Sequence, residues 1–441
     1  MPKYFVPIVL LLTLFLAAAE LRSAEVVPVA PANYDEAKVQ EYTLPDPLTM
    51  QDGRKVTTAE QWMKERRPEL LKLFEEHVYG KATLFRKGNK TFKTRFEYLN
   101  SKPVYDGKGI QHQFQIVWYQ GNEPDENAHR VDVLVYTPKL AVGKKVPAFV
   151  SLNFQGNHTT DADPDIRMPV RIWNRSKVVY SPAKEEERGA QANRWPMQFL
   201  LERGYACVTA YYCDIEPDVN GGYLHGVRKF LYKEGEKQAL DEANTIATWA
   251  WGLGEMLDGV EHFQDKLGID PTKTVVVGHS RLGKTSLWAG AIDQRFAIVI
   301  SNDSGCGGAA LSRRNYGETV HRINVSFPHW FCDNFKKYNL DVNSLPVDQH
   351  QLIALAAPRP VYVASATEDR WADPKGEFLS AYNAGSVYKL FGTSGFGGVT
   401  EPPQPDLSVG GIIGYHNRTG GHGILEPDWK HYCDFADKHL K

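Results

Sequence analysis

The 441-residue chain is poor in cysteine, lacks an excess of either charge and has no long apolar run beyond its first residues. Its five cysteines are too few and too scattered for a disulfide framework. Lys and Arg number 51 against 53 Asp and Glu, which argues against a protein held to nucleic acid by a basic face. Hydrophobic residues make up 42% and charged residues 24%, so a disordered chain and a multi-span membrane protein are excluded.

The first 24 residues predict a secretory signal peptide. Lys3 precedes an uncharged apolar run from Tyr4 to Ala19, and small residues return at Ser23 and Ala24. The run is short for a spanning helix and has the flanks of a cleavable signal. We expect cleavage after Ala19 or Ala24 and a secreted or periplasmic protein that does not bind a membrane.

Short apolar runs that alternate with helical segments predict an α/β fold. The runs are Val146–Leu152, Ala206–Tyr211, Thr274–Val277, Phe296–Ser301 and Val361–Ala366. Continuous apolar runs are typical of parallel strands buried on both faces, and the intervening helices imply a doubly wound, three-layer αβα sheet. Three earlier segments with partial alternation predict antiparallel strands at one sheet edge: Lys93–Leu99, Gln111–Tyr119 and Val131–Tyr136. In such a fold the site lies beyond the carboxyl ends of the strands.

We divide the chain into a signal peptide (1–24), an N-terminal extension (25–110) and a catalytic domain (111–441). The extension opens with a Pro- and Ala-rich stretch, Val26–Asp52, which we expect to run as an extended arm over the body. Thr57 and Glu60 then have capping-box spacing ahead of apolar residues at helical intervals. This predicts one or two helices packed on the catalytic domain.

A candidate nucleophile follows the run Thr274–Val277, in the segment Gly278-His279-Ser280-Arg281-Leu282-Gly283-Lys284. A serine on a sharp turn between a buried strand and a helix is the nucleophile elbow of α/β-hydrolases. The second glycine comes one place later than in the usual G-x-S-x-G pattern, so the strand-turn-helix context carries the interpretation. A phosphate-binding turn is the alternative.

A serine nucleophile needs a base and an orienting acid, in the chain order Ser, acid, His. His422 lies in a glycine loop ahead of the last helical segment and is the candidate base, with His416 as its nearest rival. Asp303 and Asp369 each follow a buried strand, and either could orient the histidine. An Asx turn at a strand end is the alternative for both.

Together these motifs resemble the glucuronoyl esterases of carbohydrate esterase family 15. The segment around Ser280 is similar to the family's G-C-S-R-x-G-K signature, with His279 where fungal members have Cys. Other segments match the family in the same order: Asn153–His158, Ser301–Gly308, Glu368–Pro374 and Gly421–Gly423. The resemblance covers residues 146–441 and implies an α/β-hydrolase fold.

The resemblance implies a role for each catalytic residue. Ser280 is then the nucleophile, His422 the base, and Arg281 the support of the oxyanion through its backbone N–H and guanidinium. Asp303 stands where the family usually has Glu and is one methylene shorter, which favours Asp369 without deciding between the two acids. The missing Cys at position 279 removes a disulfide of the fungal enzymes and makes His279 a structural residue.

The substrate pocket is also implied by the resemblance. Lys284 and Glu318 are expected to hold sugar hydroxyls, and Trp371 to line the uronate pocket. Aromatic residues make up 12% of the chain, with ten Trp, and rings with a polar edge suit carbohydrate clefts as well as large cores. Trp330 is therefore a second, weaker candidate for stacking on the sugar or on an aromatic alcohol.

The implied activity is hydrolysis of ester bonds between (4-O-methyl-)glucuronic acid of glucuronoxylan and lignin alcohols. It proceeds through an acyl-enzyme on Ser280 and uses no metal or other cofactor. We expect a monomer whose partner is this lignin-carbohydrate ester. The alternatives are an acetyl xylan or feruloyl esterase, and a non-catalytic carbohydrate-binding protein on a hydrolase scaffold.

Overall fold

The computed structural model describes residues 28–81, 91–139, 143–169, 172–174 and 179–441. The expected signal peptide lies outside these ranges. The described α-helices are α1 (Ala59–Gln61), α2 (Arg67–Phe74), α3 (Met197–Glu202), α4 (Tyr212–Ile215), α5 (Thr245–His262), α6 (Gln264–Leu267), α7 (Arg281–Ile292), α8 (Val320–Ser326), α9 (Gln349–Ala354), α10 (Pro374–Tyr388) and α11 (Glu426–Leu440). The described strands are β1 (Lys93–Val104), β2 (Gly109–Tyr119), β3 (His129–Pro138), β4 (Val146–Asn153), β5 (Ile172–Asn174), β6 (Val179–Ser181), β7 (Ala206–Tyr211), β8 (Ile269–His279), β9 (Ile298–Asn302), β10 (Val361–Ala366), β11 (Ser408–Gly410) and β12 (Ile413–Arg418).

Ten of the described strands form one sheet in the order β1-β2-β3-β7-β4-β8-β9-β10-β12-β11. The strands from β7 to β12 in this order run parallel. β1, β2 and β3 pair antiparallel at one edge, and β11 pairs antiparallel with β12 at the other. The expected α/β fold with an antiparallel edge is confirmed.

Helices cover both faces of the sheet because its central strands are apolar on both sides. Along β4, Val150 packs into a core formed with α5, α7 and α10, while its neighbour Phe149 packs on the opposite face against α3 and α11. The central strands β4, β7, β9 and β10 are buried along their whole length. This continuous burial explains why their sequences show apolar runs without alternation.

The N-terminal extension is joined to the catalytic part by the sheet and by an early helix. β1 pairs with β2 over its full length, so one hairpin crosses residue 110. The π-helical turn Trp62–Arg66 joins α1 to α2, and a second one, Glu75–Tyr79, continues α2. Arg67 of this helix donates to the carbonyl oxygens of Ala291 and Leu355, at 2.6 Å and 3.2 Å.

One local expectation needs correction, and one strand was not expected. The cap of α1 is Thr58, whose side chain accepts from the backbone N–H of Gln61, while Thr57 instead bonds the Gln61 side chain. Strand β12 was not predicted, because Gly414 and polar residues interrupt its apolar pattern. No helix of the described residues is long and apolar enough to cross a membrane.

Candidate active site

Four candidate catalytic residues lie in loops at the carboxyl ends of four strands of the sheet. Ser280 follows β8, Asp303 follows β9, Asp369 follows β10 and His422 lies in the loop after β12. All four strands are parallel, so their carboxyl ends point the same way and bring these loops together. The candidate residues therefore lie beyond the carboxyl ends of the strands, where open α/β sheets form their sites.

Ser280 occupies a strained turn between β8 and α7. Its backbone has φ 59° and ψ −127°, a conformation that non-glycine residues rarely adopt and that clusters at functional sites. The backbone N–H of Ser280 donates to the carbonyl of Asn302 at 2.9 Å, which ties the turn to the end of β9. The strand-turn-helix context expected for a nucleophile elbow is present.

Packing explains both glycines of the turn, including the second one, which comes one residue later than in the usual pattern. A Cβ on Gly278 would lie 1.9 Å from the carbonyl oxygen of Leu282, so the turn needs glycine there. A Cβ on Gly283 would lie 2.9 Å from Cβ of Ser304. Position 283 is therefore where α7 approaches the loop after β9, and Leu282 can be a buried core residue instead.

His422 is paired with Asp369. Its Nδ1 lies 2.6 Å from Oδ2 of Asp369, which is buried, whereas the imidazole side chain is 43% exposed. A carboxylate bonded to Nδ1 fixes the tautomer with the proton on Nδ1, so that Nε2 is left to accept a proton. This is the arrangement that a general base requires.

Asp303 faces the same loop but bonds differently. Its Oδ2 accepts from the backbone N–H of Gly423 at 3.1 Å, and its Oδ1 has no hydrogen-bond partner among the described residues. Burial, followed by the nearby charges of Glu377 and Asp369, raises the pKa of Asp303 well above its usual range. Asp303 thus supports the histidine loop as a carboxyl held towards its neutral form.

Arg418 at the end of β12 holds the backbone on both sides of His422. Its guanidinium donates to the carbonyl oxygens of Gly421 and Gly423 at 2.8 Å and 3.1 Å. The same group donates to the buried carboxylate of Asp428 at 3.0 Å. The planar fork of arginine suits such multiple bonds, and the histidine loop is anchored as a result.

The rival histidine has other partners. His416 is fully buried, with Nε2 2.8 Å from Asp428 and Nδ1 3.0 Å from the Tyr362 hydroxyl. His279 likewise has a structural bond, from Nδ1 to the Asn302 side chain at 2.6 Å, and its ring centroid lies 4.4 Å from that of His422. Burial, followed by the repulsion of His422, holds the pKa of His279 well below its usual range.

Arg281 is held beside Ser280 by a buried carboxylate that the sequence analysis did not single out. Its guanidinium donates to Asp218 at 3.1 Å and lies over the rings of Phe154 and Trp330, at 5.4 Å and 5.2 Å. Asp218 also accepts from the Trp330 indole at 2.7 Å. Asp218 comes shortly after β7, so the rule that sites gather at strand ends could have found it.

The residues expected to bind sugar, Lys284, Glu318 and Trp371, form a wall of the site beside these catalytic residues. Lys284 donates to the carbonyl oxygen of Ser304, and its Nζ lies 3.8 Å from the Glu318 carboxylate. Burial raises the pKa of Glu318, and the ammonium of Lys284 partly offsets this effect. Trp371 joins this wall through its carbonyl, which accepts from the backbone N–H of Glu318 at 3.0 Å.

The two tryptophans differ in what they offer to a ligand. Trp371 is 38% exposed, whereas Trp330 is 3% exposed and stacks on Phe327 with centroids 3.7 Å apart. Trp330 also lies beneath the ammonium of Lys284, 5.8 Å from its centroid. The buried ring of Trp330 supports the two cations of the site, and Trp371 is the ring available to a ligand.

One donor set in the site could attract a cation. Single donor atoms of Asp303, Asp369 and His422 lie within 4.8 Å of one another, and imidazole with carboxylates suits several divalent metals. However, His422 and Asp369 are already in direct contact at 2.6 Å. A metal ion about 2.1 Å from each of these two atoms would need them farther apart. The pair therefore fits a shared proton better than a metal ion.

Comparison with known proteins identifies several relatives. A family model described as glucuronyl esterase, fungi, matches residues 204–392. A carbohydrate esterase of an unknown prokaryotic organism is 46% identical over 414 residues, which cover 92% of each chain. The structure of a glucuronoyl esterase from Solibacter usitatus has a TM-score of 0.84 and 40% identity, and the match covers 92% of this chain and 100% of that one. A 4-O-methyl-glucuronoyl methylesterase of Podospora anserina is 37% identical over 158 residues, 34% of this chain and 32% of the relative.

Proposed function

Because the chain belongs to carbohydrate esterase family 15, the glucuronoyl esterases, we propose that it hydrolyses esters of glucuronic and 4-O-methylglucuronic acid on glucuronoxylan. Lignin alcohols are the proposed leaving groups. The observation that carries this proposal is the strained Ser280 at the same sheet edge as the bonded pair His422 and Asp369. The signal-like N-terminus supports a secreted or periplasmic enzyme, and we expect it to act as a monomer.

The reaction proceeds by acyl transfer in two steps. His422 takes the proton of Ser280 at Nε2 while the serine oxygen attacks the ester carbonyl. The negative oxygen that develops is stabilised by the backbone N–H and guanidinium of Arg281. The alcohol leaves with the proton from His422, and a water activated by the same ring then releases the uronate. Asp369 orients the ring and stabilises its positive form.

Recognition of the sugar rests on the buried pair Lys284 and Glu318. An ammonium donates to hydroxyl oxygens and a carboxylate accepts from hydroxyl groups, so the pair can bind neighbouring hydroxyls of one pyranose ring. Both side chains are buried, which strengthens these bonds relative to water. Trp371 offers its partly exposed ring face to the same sugar.

The nucleophile is tested with Ser280→Ala and benzyl glucuronate as the substrate. We expect kcat to fall on the order of 10⁵- to 10⁶-fold, with an unchanged circular dichroism spectrum. Near-normal turnover by the variant would rule out Ser280 as the nucleophile.

The substrate class is tested on the unmodified enzyme. We expect kcat/KM for benzyl glucuronate to exceed that for an acetylated xylo-oligosaccharide and for a feruloylated one. The opposite order would favour an acetyl xylan or feruloyl esterase. A protein that binds xylo-oligosaccharide but forms no covalent adduct with a serine-directed phosphonate would be a carbohydrate-binding protein instead.

A further inference from the structure

The N-terminal arm lies against the two loops that carry the proposed sugar-binding residues. Residues 28–38 contain no strand, and only a single 3₁₀ turn, Glu36–Lys38, is formed there. The arm contacts the loop 314–318, which ends in Glu318, and the turn 370–373, which contains Trp371. These contacts join residues more than 270 positions apart in the chain, and the proposed function gives the arm no role.

Successive backbone amides tie the arm to the sugar-binding wall. The N–H of Gly317 donates to the carbonyl of Asn33 at 2.8 Å, and the next N–H, of Glu318, donates to the carbonyl of Trp371 at 3.0 Å. The loop is thus held between the arm on one side and the tryptophan turn on the other. Gly317 has φ 61°, and a Cβ there would lie 2.5 Å from the Trp371 carbonyl oxygen. The contact is so close that a shift of the arm must displace the loop 314–318, and a shift of this loop must displace the turn 370–373.

Tyr34 provides an aromatic anchor for the arm. Its ring meets the ring of Tyr316 edge to face at 6.1 Å, and the guanidinium of Arg370 lies 5.1 Å above it. Its carbonyl oxygen accepts from the hydroxyl of Tyr316 at 3.2 Å and from the guanidinium of Arg370. Tyr34 therefore joins the residue before Gly317 to the residue before Trp371.

Glu36 provides a charged anchor. One carboxylate oxygen lies 2.6 Å from Arg314 and the other 3.0 Å from Lys375. Arg314 is itself buried and pairs with Asp373 at 2.8 Å, and Asp373 caps the start of α10. The carboxylate of Glu36 thus anchors the loop 314–318 at its first residue, Arg314. It anchors the turn 370–373 just beyond its end, at Lys375 of α10.

Arg322 links the arm to the face of the exposed tryptophan. It donates to the carbonyl oxygen of Ala30 at 2.5 Å, and its guanidinium lies 5.4 Å from the centroid of the Trp371 ring. A cation held over one ring face restricts the orientation of that ring. The arm is thereby linked to the tryptophan ring through Arg322, in addition to its bond with Arg370 of the turn.

We infer that arm residues 30–36 are positioning residues for sugar recognition, which hold Glu318 and Trp371 in place opposite Lys284. Glu318 lies on an irregular loop and Trp371 on a single 3₁₀ turn, Arg370–Ala372, and sites outside long helices and strands need such support to keep their geometry. Displacement of these groups weakens contacts that the sugar makes both before and during the reaction, so the expected effect falls on KM. This inference rests on the proposed function of the pocket.

The test uses the variant Tyr34→Ala/Glu36→Ala and a chain that begins at Val39. With benzyl glucuronate, we expect KM to rise about 5-fold or more in both, with kcat within about 3-fold of the parent. The ratio of kcat/KM for benzyl glucuronate to that for p-nitrophenyl acetate, which has no sugar ring, is expected to fall. Should the shortened chain fail to fold, the double variant carries the test.

A second readout does not need the substrate. Hydrogen exchange of the backbone amide of Gly317 should accelerate in the double variant, because the arm that carries its acceptor, the Asn33 carbonyl, is no longer anchored. Lys38→Ala is the matched control, since this exposed side chain pairs, among the residues that the structure describes, with Asp35 of the same arm. Its KM and amide exchange should equal those of the parent.

The outcomes separate the two proposals. A folded double variant with the parent's KM and the parent's amide exchange would overturn the role of the arm. A parent enzyme that does not hydrolyse benzyl glucuronate would overturn the proposed function, and faster exchange at Gly317 in the double variant would still show that the arm holds the loop.

Discussion

At the scale of single residues, two carboxylates face the loop of His422 and have different surroundings. Asp369 contacts the imidazole Nδ1 directly, whereas Asp303 accepts from the backbone of Gly423 and is held towards its neutral form by burial. An acid that orients a histidine must be ionised and in contact with the ring. The direct contact with the ring favours Asp369 for the orienting role, and the bond to Gly423 gives Asp303 a loop-supporting role.

The two acids should therefore respond unequally to neutralisation. We expect Asp369→Asn to lower kcat for benzyl glucuronate by about 10³-fold or more, because the amide favours the wrong tautomer of His422. We expect Asp303→Asn to lower kcat by less than about 10-fold, because its side-chain oxygen can still accept from Gly423. Steady-state kinetics of both singles and the double would test this, and equal losses in the singles would contradict it.

At the scale of secondary-structure elements, helix α10 supports the loop after β9. Glu377 near its start accepts from the backbone N–H groups of Ser304 and Gly305 at 2.8 Å and 2.9 Å, and from the Ser365 hydroxyl at 2.6 Å. The side chain is fully buried, and burial raises its pKa to about 8. One buried carboxyl thus connects α10, β10 and the loop that begins at Asp303.

The raised pKa of Glu377 predicts a pH dependence of stability. Between the usual carboxyl value of 4.5 and about 8, the folded chain keeps a proton that the unfolded chain has released. The stabilisation is therefore fully present below the lower value and is lost as pH rises through the upper one. The free energy of unfolding of the parent minus that of Glu377→Gln should decrease as the pH rises through this window. Urea titrations at several pH values would measure it.

The control for this titration is Glu60→Gln, which changes an exposed carboxylate of α1. A decrease of the same size in this control would show that the effect does not come from the buried carboxyl. A constant difference for Glu377→Gln would show that the buried carboxyl does not bind the proton.

The turn from β12 to α11 gives a second prediction at this scale. Arg418→Lys should lower kcat by about 10- to 100-fold, because lysine cannot donate to Gly421, Gly423 and Asp428 together and the loop of His422 shifts. Arg67→Lys is a matched control, since Arg67 is also buried and donates to two carbonyl oxygens, those of Ala291 and Leu355, but outside the loops of the site. Equal losses of kcat in the two variants would contradict a specific role for Arg418.

At the scale of the whole molecule, one sheet and its packing hold the chain together without covalent cross-links. All five cysteines lie in the described part of the chain, and all are buried and free. Burial raises the pKa of each thiol, so none is an activated thiolate. The position of a fungal cysteine is occupied by His279, which bonds the Asn302 side chain instead.

A reducing agent should therefore leave the stability unchanged. We expect dithiothreitol to shift Tm by less than about 1 °C, because no cross-link is lost. Differential scanning calorimetry with and without the reductant would test this. A decrease of several degrees would reveal a disulfide between chains or a rearranged fold.

The features that the sequence alone determined are local ones. Apolar runs marked the buried strands because a strand covered on both faces needs apolar residues at every position. Ser280 and His422 stood out because a glycine-bounded turn after such a strand, or before the last helix, has few other uses. The antiparallel edge was predicted from alternation in the same way, whereas β12, broken by Gly414, was missed.

Only the tertiary structure decided which distant residues meet. Asp303 and Asp369 look alike in the sequence, and the contact with His422 depends on how the loops after β9, β10 and β12 converge. The packing also buried Trp330, brought Asp218 to Arg281 and laid the N-terminal arm on the wall that carries Trp371. The meeting of the strand-end loops follows from the strand order of the ten-stranded sheet, which sets distances between residues that no local pattern relates. The arm and Asp218 are placed by the packing of segments outside the strands.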